Sequence, residues 1–297
     1  MSLLMDSADL NPRNARLLSG LGRVLGAGTR LLSWRCFRPL LKRLKPIDPF
    51  AVRIATGDLR AWRLITSRRC ADTMWIGNYE GRRRDIMRAF VRPGQVVFDV
   101  GAHIGFFTLW FSKLVGPDGG VVAFEPCPAN LSLLRANVSA NLPRTLNVHI
   151  EPAAVGHEDG ETRLHTPGGV STMSRIEGLP LAGRTQLSNI VTVASVTLDS
   201  FWQRSGRSPS LLKIDVEGAE LAVLEGGRRL LSECRPTIFL EAHFGIVDLK
   251  PLLPLLGSLN YMAFDFEGRE IDDQELANKR VIEYLLVLPA ESRSRVI

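Results

Sequence analysis

The pattern of hydrophobic and polar positions divides the chain at Pro93-Gly94, a turn dipeptide. Beyond it, short runs rich in Val, Ile, Leu and Phe alternate with stretches of helical period, the signature of a doubly wound, mostly parallel sheet. Strands are predicted over Gln95 to Val100, Gly119 to Glu125 and Asn147 to Val155, with helices over Phe106 to Val115 and Ala129 to Ala140. The first run is apolar except for an acid near its end, as suits a strand buried on both faces.

Between residues 156 and 209 the alternation breaks. Short β-like pieces around Thr162 to His165 and Ile190 to Val196, flanked by glycine-rich turns, predict an antiparallel excursion or flap. Leu211 to Asp215 resumes the sheet. A helix over Ala219 to Leu231, a strand at Thr237 to Ala242, a helix near Val247 to Leu256 and strands near Met262 to Phe266 and Val281 to Val287 complete it. No internal repeat is present.

Upstream of the turn the pattern changes. Residues 46–92 read as a small region, with Trp62, Trp75, Tyr79 and the turn-like Ile76-Gly77-Asn78, that offers a contact for substrate or a second copy. The run Arg82 to Arg84 reads as a solvated helix face. Farther upstream, Leu17, Leu21, Val24, Leu25, Leu31 and Leu32 recur near helical spacing while Arg16, Arg23 and Arg30 sit seven apart on another face. Such a basic amphipathic helix docks on an anionic membrane surface, or packs on its own core or a homodimer partner. Gly20, Gly22, Gly26 and Gly28 weaken it in isolation. The expected organisation is a basic helical extension over 1–45, a small region over 46–92 and a catalytic domain over 93–290.

Charge sharpens that division. Residues 1–92 carry 19 Lys/Arg against 7 Asp/Glu and the rest 18 against 24, so the excess behind the net +6 lies in the extension. A net acidic core argues against nucleic acid as partner, despite a pI of about 9.4. The four cysteines, Cys36, Cys70, Cys127 and Cys234, form no Cys-x-x-Cys pair, so neither a disulfide framework nor a zinc knuckle is expected. A reducing cytoplasmic setting fits, with residues 10–47 as the element for peripheral contact with the inner membrane surface. No stretch of about 18 apolar residues free of charge exists for a membrane span.

Candidate chemistry begins at the first strand. Asp99-x-Gly101-x-x-x-Gly105 follows it directly and precedes a helix, so Gly101 permits a tight turn with a ligand against the main chain, and Gly105 close packing of helix on strand. The third glycine of a dinucleotide fingerprint is missing, and Asp99 would repel a pyrophosphate. A ligand with an ammonium group and no phosphate fits better, which describes S-adenosylmethionine. Glu125, 26 residues after Asp99, ends the second strand where a carboxylate accepts ribose hydroxyl protons, or else caps the next helix. Adenine would then lie near Ala153, Ala154 and Val155. The expected cofactor residues are Asp99, Gly101, Ala102, His103, Gly105, Glu125, Pro126, Ala154, Val155 and Asp215.

Four segments in this order, Val97 to Gly105, Ala123-Phe124-Glu125-Pro126, Ala153-Ala154-Val155-Gly156 and Leu212-Lys213-Ile214-Asp215-Val216-Glu217-Gly218-Ala219-Glu220, closely resemble the FkbM family of methyltransferases. The resemblance spans about residues 93 to 245. It implies a Rossmann-like class I methyltransferase fold with an antiparallel strand near the C-terminus, S-adenosylmethionine as cofactor, and O-methylation of a sugar, glycan, glycolipid or natural-product hydroxyl. His103 departs from the Asn usual there, and its charge would titrate near neutrality.

Methyl transfer to a hydroxyl needs alignment and removal of a proton. Asp215 and Glu217, two apart after the fourth strand, are expected on one side, and Glu241 and His243 likewise after the fifth. His243, with an ordinary pKa of about 6.5, is the easiest base near pH 7. Lys213 shares a strand face with Asp215 and is expected to pair with it, and Glu217 and Glu220 charge the next helix start. His149, His157 and His165 are expected at the surface, while Ser171, Thr172 and Ser174 could meet substrate hydroxyls. A metal on Asp215, Glu217 and His243 is conceivable, but no ligand spacing is diagnostic of one. Two other readings stay open: a nucleic-acid methyltransferase, though no Asn-Pro-Pro-Tyr or Asp-Pro-Pro-Tyr block is present, and a non-catalytic cofactor-binding module docked through the basic helix.

Overall fold

A computed structural model describes residues 48–171, 174–176, 189–243, 248–278 and 282–295. The central sheet is built from β3 (Val96–Val100), β4 (Gly120–Phe124), β5 (Val148–Glu151), β10 (Leu211–Ile214), β11 (Thr237–His243), β12 (Tyr261–Phe264) and β13 (Ile282–Pro289). Its order is β12-β13-β11-β10-β3-β4-β5. Neighbours from β11 to β5 pair in parallel, and β13 is antiparallel to both β11 and β12. This is the doubly wound sheet with a late antiparallel strand that the sequence predicts.

Alternation along the strands feeds two cores. Val97, Val121, Leu211 and Phe239 join the cluster on one face, and Phe98, Val122, Leu212 and Leu240 the cluster on the other. Both faces are covered, which explains the continuous apolar runs. The strand order reverses between β3 and β10, so the crevice at their carboxyl ends is where such a sheet binds ligands.

Two predicted elements divide. The third strand splits at Pro152, which has no N–H to give a ladder: Val148–Glu151 stays in the main sheet, and β6 (Ala153–Val155) leaves it. Strand β6 pairs with β9 (Asn189–Val196), which pairs with β7 (Gly160–Thr166), which pairs with β8 (Arg175–Ile176). This four-stranded sheet is the expected excursion, antiparallel except at β6. The helix predicted over Ala219 to Leu231 divides at Gly226-Gly227 into Glu220–Glu225 and Arg228–Cys234. A Cβ on Gly226 would stand 2.0 Å from the Gly156 carbonyl oxygen, so the glycine permits the crossing of chain segments there.

The region before Pro93 folds onto the same core. It contains β1 (Phe50–Arg53), β2 (Arg63–Thr66), α1 (Asp72–Ile76) and α2 (Gly81–Arg88), and Phe50, Leu64, Trp75 and Met87 share a cluster with Leu109 and Trp110. The outer edge of β2 is covered by the helix Pro128–Ala140 and the residue after it. Asn137 accepts from Ile65 N–H (2.5 Å) and donates to Ile65 C=O (2.9 Å), and Asn141 accepts from Arg63 N–H (2.9 Å) and donates to Arg63 C=O (2.8 Å). Two side-chain amides one helical turn apart thus replace a missing strand.

The arginine run departs from expectation. Arg82 is exposed, but Arg84 is buried, with Nη2 donating to Gly77 C=O (2.9 Å) and Nε to Tyr79 C=O (2.8 Å), and Arg83 lies over the Tyr284 ring. The charge run alone cannot show that helix α2 packs on both Asp58 and the sheet. His149 and His157 are exposed and His165 half-buried. Cys36 and the helix predicted within residues 10–47 lie outside the described residues. Among the described residues, no helix is long and apolar enough to cross a membrane.

Candidate active site

The turn after β3 is held by its neighbour strand. The backbone N–H groups of Gly101 and Ala102 both donate to Phe124 C=O (3.0 and 2.9 Å), and His103 N–H donates to Glu125 Oε2 at 2.7 Å. Gly101 has φ +83°, and a Cβ there would stand 1.8 Å from the Asp215 carbonyl oxygen. Glycine is therefore required where β3 and β10 converge. A Cβ on Gly105, φ +89°, would meet Leu134 at 2.5 Å, which is the close helix packing expected of that residue.

These elements open onto a cavity of about 260 Å3. Gly101, Ala102, His103, Glu125, Pro126, Ala154, Val155 and Asp215 all line it, as do Glu217 and Glu241. Ala153, Leu164 and Ile176 add an apolar wall from the excursion, and Ser171 and Ser174 border it; Thr172 lies outside the described residues.

Asp99 and Gly105 are not in the lining. Asp99 is completely buried beneath the turn, accepting from Thr108 Oγ1 (2.6 Å) with Lys213 Nζ 3.6 Å away, so it meets no ligand directly. Burial raises its pKa, while Lys213 and Thr108 act against that. Parallel register places Asp99 opposite Lys213. From there Lys213 reaches Asp215 Oδ2 (3.1 Å) and Gly101 C=O (3.4 Å). The expected Lys213-Asp215 pair is present, and Asp99 completes it from below.

Glu125 lines the cavity and braces the loop that leads into the next helix. Its Oε1 accepts from Cys127 N–H (2.9 Å) and Asn130 Nδ2 (3.3 Å), in addition to the His103 bond on Oε2. A carboxylate offers about four acceptor positions, so three fixed donors leave room for about one more. Burial pushes its pKa up to about 7 against those hydrogen bonds.

His103 is not the neutral-range titrating group its type suggests. Burial lowers it to about 4, with Asp215 opposing and Lys213 reinforcing the shift. Its φ of +53° lies in the left-handed region, which histidine enters more readily than most residues. The Nε2 atom is buried without a hydrogen-bond partner.

The cavity is also lined by the carboxyl groups of Glu80, Asp215, Glu217 and Glu241. Glu217 has φ +54°, so it does not follow Asp215 in an extended segment, although both still face the cavity. Burial works to raise the Asp215 pKa, but Lys213 and His243 hold it below the usual carboxylate range. Glu241 is pushed up to about 8 by burial and by Asp215, while Tyr284 hydrogen-bonds it. Glu217 is raised to about 7, chiefly by burial.

His243 is 1% exposed and absent from the cavity lining. Its Nδ1 lies 2.6 Å from Glu220 Oε1 and its Nε2 3.5 Å from Glu217 Oε2. Burial lowers its pKa, but the hydrogen bond to Glu220 and the surrounding carboxylates prevail and raise it to about 9. It is a cation at neutral pH, which corrects its reading as a free neutral base. Sequence reasoning missed Glu80, Asn130, Phe106 and Tyr284. Asn130, five residues after Glu125 at a helix start, had a local signal; Glu80 and Tyr284 come from distant segments and had none.

The profile described as the methyltransferase FkbM domain matches residues 99–271, more than half of the chain. The 31-O-demethyl-FK506 methyltransferase FkbM of Streptomyces tacrolimicus is 33% identical over 162 residues, covering 46% of this chain and 60% of that protein. The 2-O-methyltransferase NoeI of Sinorhizobium fredii is 26% identical over 205 residues, covering 64% of this chain and 82% of NoeI. A crystal structure of methyltransferase FkbM from Methylobacillus flagellatus KT aligns with a TM-score of 0.43 and 16% identity, over 74% of this chain and 56% of that one.

Proposed function

We propose that this chain, which belongs to the FkbM methyltransferase family, is an S-adenosylmethionine-dependent O-methyltransferase acting on a hydroxyl of a sugar, glycan, glycolipid or natural-product acceptor. The observation that carries this reading is one cavity lined by the Gly101 turn and Glu125 together with Asp215, Glu217 and Glu241. The names of the two relatives support oxygen as the methylated atom.

The residues fit the cofactor. Glu125 has acceptor capacity left for a ribose hydroxyl, Ala153, Val155, Leu164 and Ile176 offer an apolar slot for adenine, and the Asp215 carboxylate beside the Gly101 turn suits a cationic methionine portion. His103 Nε2 is a buried polar atom available to the same ligand. When bound, the cofactor supplies an electrophilic methyl group.

The chain positions and deprotonates the acceptor. Glu217 is the proton acceptor in this reading: it lines the cavity and holds a left-handed backbone, a conformation that costs of order 1–3 kcal/mol and is retained where function requires it. His243 and Arg175, 3.5 and 3.9 Å from its Oε2, hold the carboxylate in place. Met74, Tyr79 and Glu80 bring the region before Pro93 into the acceptor end.

The test has two parts. Calorimetry is expected to give micromolar binding of S-adenosylmethionine and of its demethylated product. Mass spectrometry of hydroxyl acceptors is then expected to show gain of one methyl group. Absence of cofactor binding would end the reading; binding without turnover on any hydroxyl panel would favour the non-catalytic module.

A further inference from the structure

We infer that Asp215, Glu241 and His243 form a binding site for one divalent cation of the Mg2+ or Mn2+ class at the acceptor end of the cavity. One ligand atom from each residue lies within 4.8 Å of the other two. An octahedral ion with bonds of about 2.1 Å sets adjacent ligands about 3 Å apart and opposite ones about 4 Å, so shifts of about an ångström bring the three onto one ion. Two carboxylates and an imidazole suit Mn2+ or Mg2+ better than the thiolate-rich sets of structural zinc.

Each prospective ligand is held from behind, as metal ligands are. Glu220, itself completely buried, lies 2.6 Å from His243 Nδ1, and Nε2, 3.5 Å from Glu217 Oε2, faces the carboxyl cluster, where a bound ion would displace its proton. Carboxylate-histidine-metal arrangements use this geometry. Tyr284 hydrogen-bonds Glu241, and Lys213 holds one oxygen of Asp215. Asp215 and Glu241 line the cavity, so the remaining coordination positions open toward the ligand space. The same cavity is lined by His103, whose buried Nε2 has no hydrogen-bond partner, a sign that a polar occupant completes it.

Charge points the same way. Six carboxyl groups, Glu80, Asp99, Asp215, Glu217, Glu220 and Glu241, crowd this site, and the lysine and arginine cations set among them are Lys213, Arg83 and Arg175. Glu241 shares hydrogen bonds with Tyr284 and Asp215, and no lysine or arginine forms an ion pair with it among the described residues. A dication answers that excess. Its chemical use rests on the methyltransferase reading: a hydroxyl beside a divalent ion is more acidic than a free alcohol, which lightens the task of a carboxylate base.

The site itself is tested without cofactor or acceptor. The full chain, stripped with chelator, is titrated with Mn2+ and free ion is followed by electron paramagnetic resonance. One Mn2+ per chain at micromolar concentration, displaced by Mg2+, is expected. Glu241→Gln, which preserves shape, and His243→Gln should each weaken it at least tenfold, and Glu220→Gln by about 10- to 100-fold. Binding of S-adenosylmethionine within threefold of wild type shows that each variant remains folded. No Mn2+ uptake up to millimolar concentration, or uptake unaltered by Glu241→Gln, overturns the site. Full methyl transfer in chelator overturns the ion's part in the reaction while leaving the methyltransferase reading intact; site-specific Mn2+ uptake by a chain that binds no S-adenosylmethionine upholds the site and ends that reading.

Discussion

The Glu125 carboxylate accepts the backbone N–H of His103 at 2.7 Å, so the acid ending the second strand fixes the glycine turn that ends the first. One residue shapes the turn, braces the entry to the helix from Pro128 and faces the cavity, which gives its ionisation two opposite consequences.

In the free protein the Glu125 pKa is raised to about 7 from the ordinary 4.5. Its protonated form is favoured by folding, so its contribution to stability is complete below about pH 4.5 and is lost as pH rises through about 7. Donors from a ribose prefer the carboxylate, so cofactor affinity should rise with pH toward about 7 and then level. Calorimetry and thermal melts from roughly pH 5.5 to 8 measure both trends, and Glu125→Gln should flatten both. A cofactor affinity independent of pH in wild type would remove Glu125 from binding.

Gly101→Ala should abolish cofactor binding. The new Cβ would meet Asp215 C=O at 1.8 Å, a backbone atom that cannot swing aside. The positive φ adds strain, and a stability loss above about 2 kcal/mol is expected in denaturant unfolding. Binding at wild-type affinity would show that the two strand ends are free to separate.

Lys213→Met leaves Asp99 buried beside Asp215 without its cation. Breaking a buried pair from one side costs about 3–5 kcal/mol, a Tm fall of roughly 6 to 15 °C in a chain of this size. Adding Asp99→Asn should return part of the loss, because it removes the deepest uncompensated charge. Additive losses in the double variant would contradict the coupling.

Asn137→Ala removes the partner of Ile65 N–H and C=O and of Ile104 C=O. About 2–3 kcal/mol of stability should be lost, because these backbone groups lie behind a helix where water replaces the amide poorly. Hydrogen exchange should quicken at Ile65 before it does in β3.

Glu217→Gln tests the proposed base. Turnover should fall by about 10²–10⁴, with S-adenosylmethionine affinity within about threefold of wild type. An unchanged kcat would move the proton to another carboxyl group.

Sequence by itself determined the sheet, its late antiparallel strand and the first-strand turn, because local periodicity and glycine placement depend only on neighbours in the chain. It also placed Glu125, Asp215, Glu217 and Glu241 on one cavity, since strand ends of a parallel sheet converge whatever their separation in sequence. Tertiary structure decided the rest. Burial, which no local pattern encodes, lowered His103 and hid Asp99 beneath the turn it precedes, while Glu220 and the neighbouring carboxylates raised His243 against its own burial. Pro152 turned one predicted strand into two sheets, and Glu80 and Tyr284 reached the site from opposite ends of the described chain. The cluster of Asp215, Glu241 and His243 has no sequence spacing because its members come from two strands paired through backbone hydrogen bonds, and only the folded sheet sets their separation.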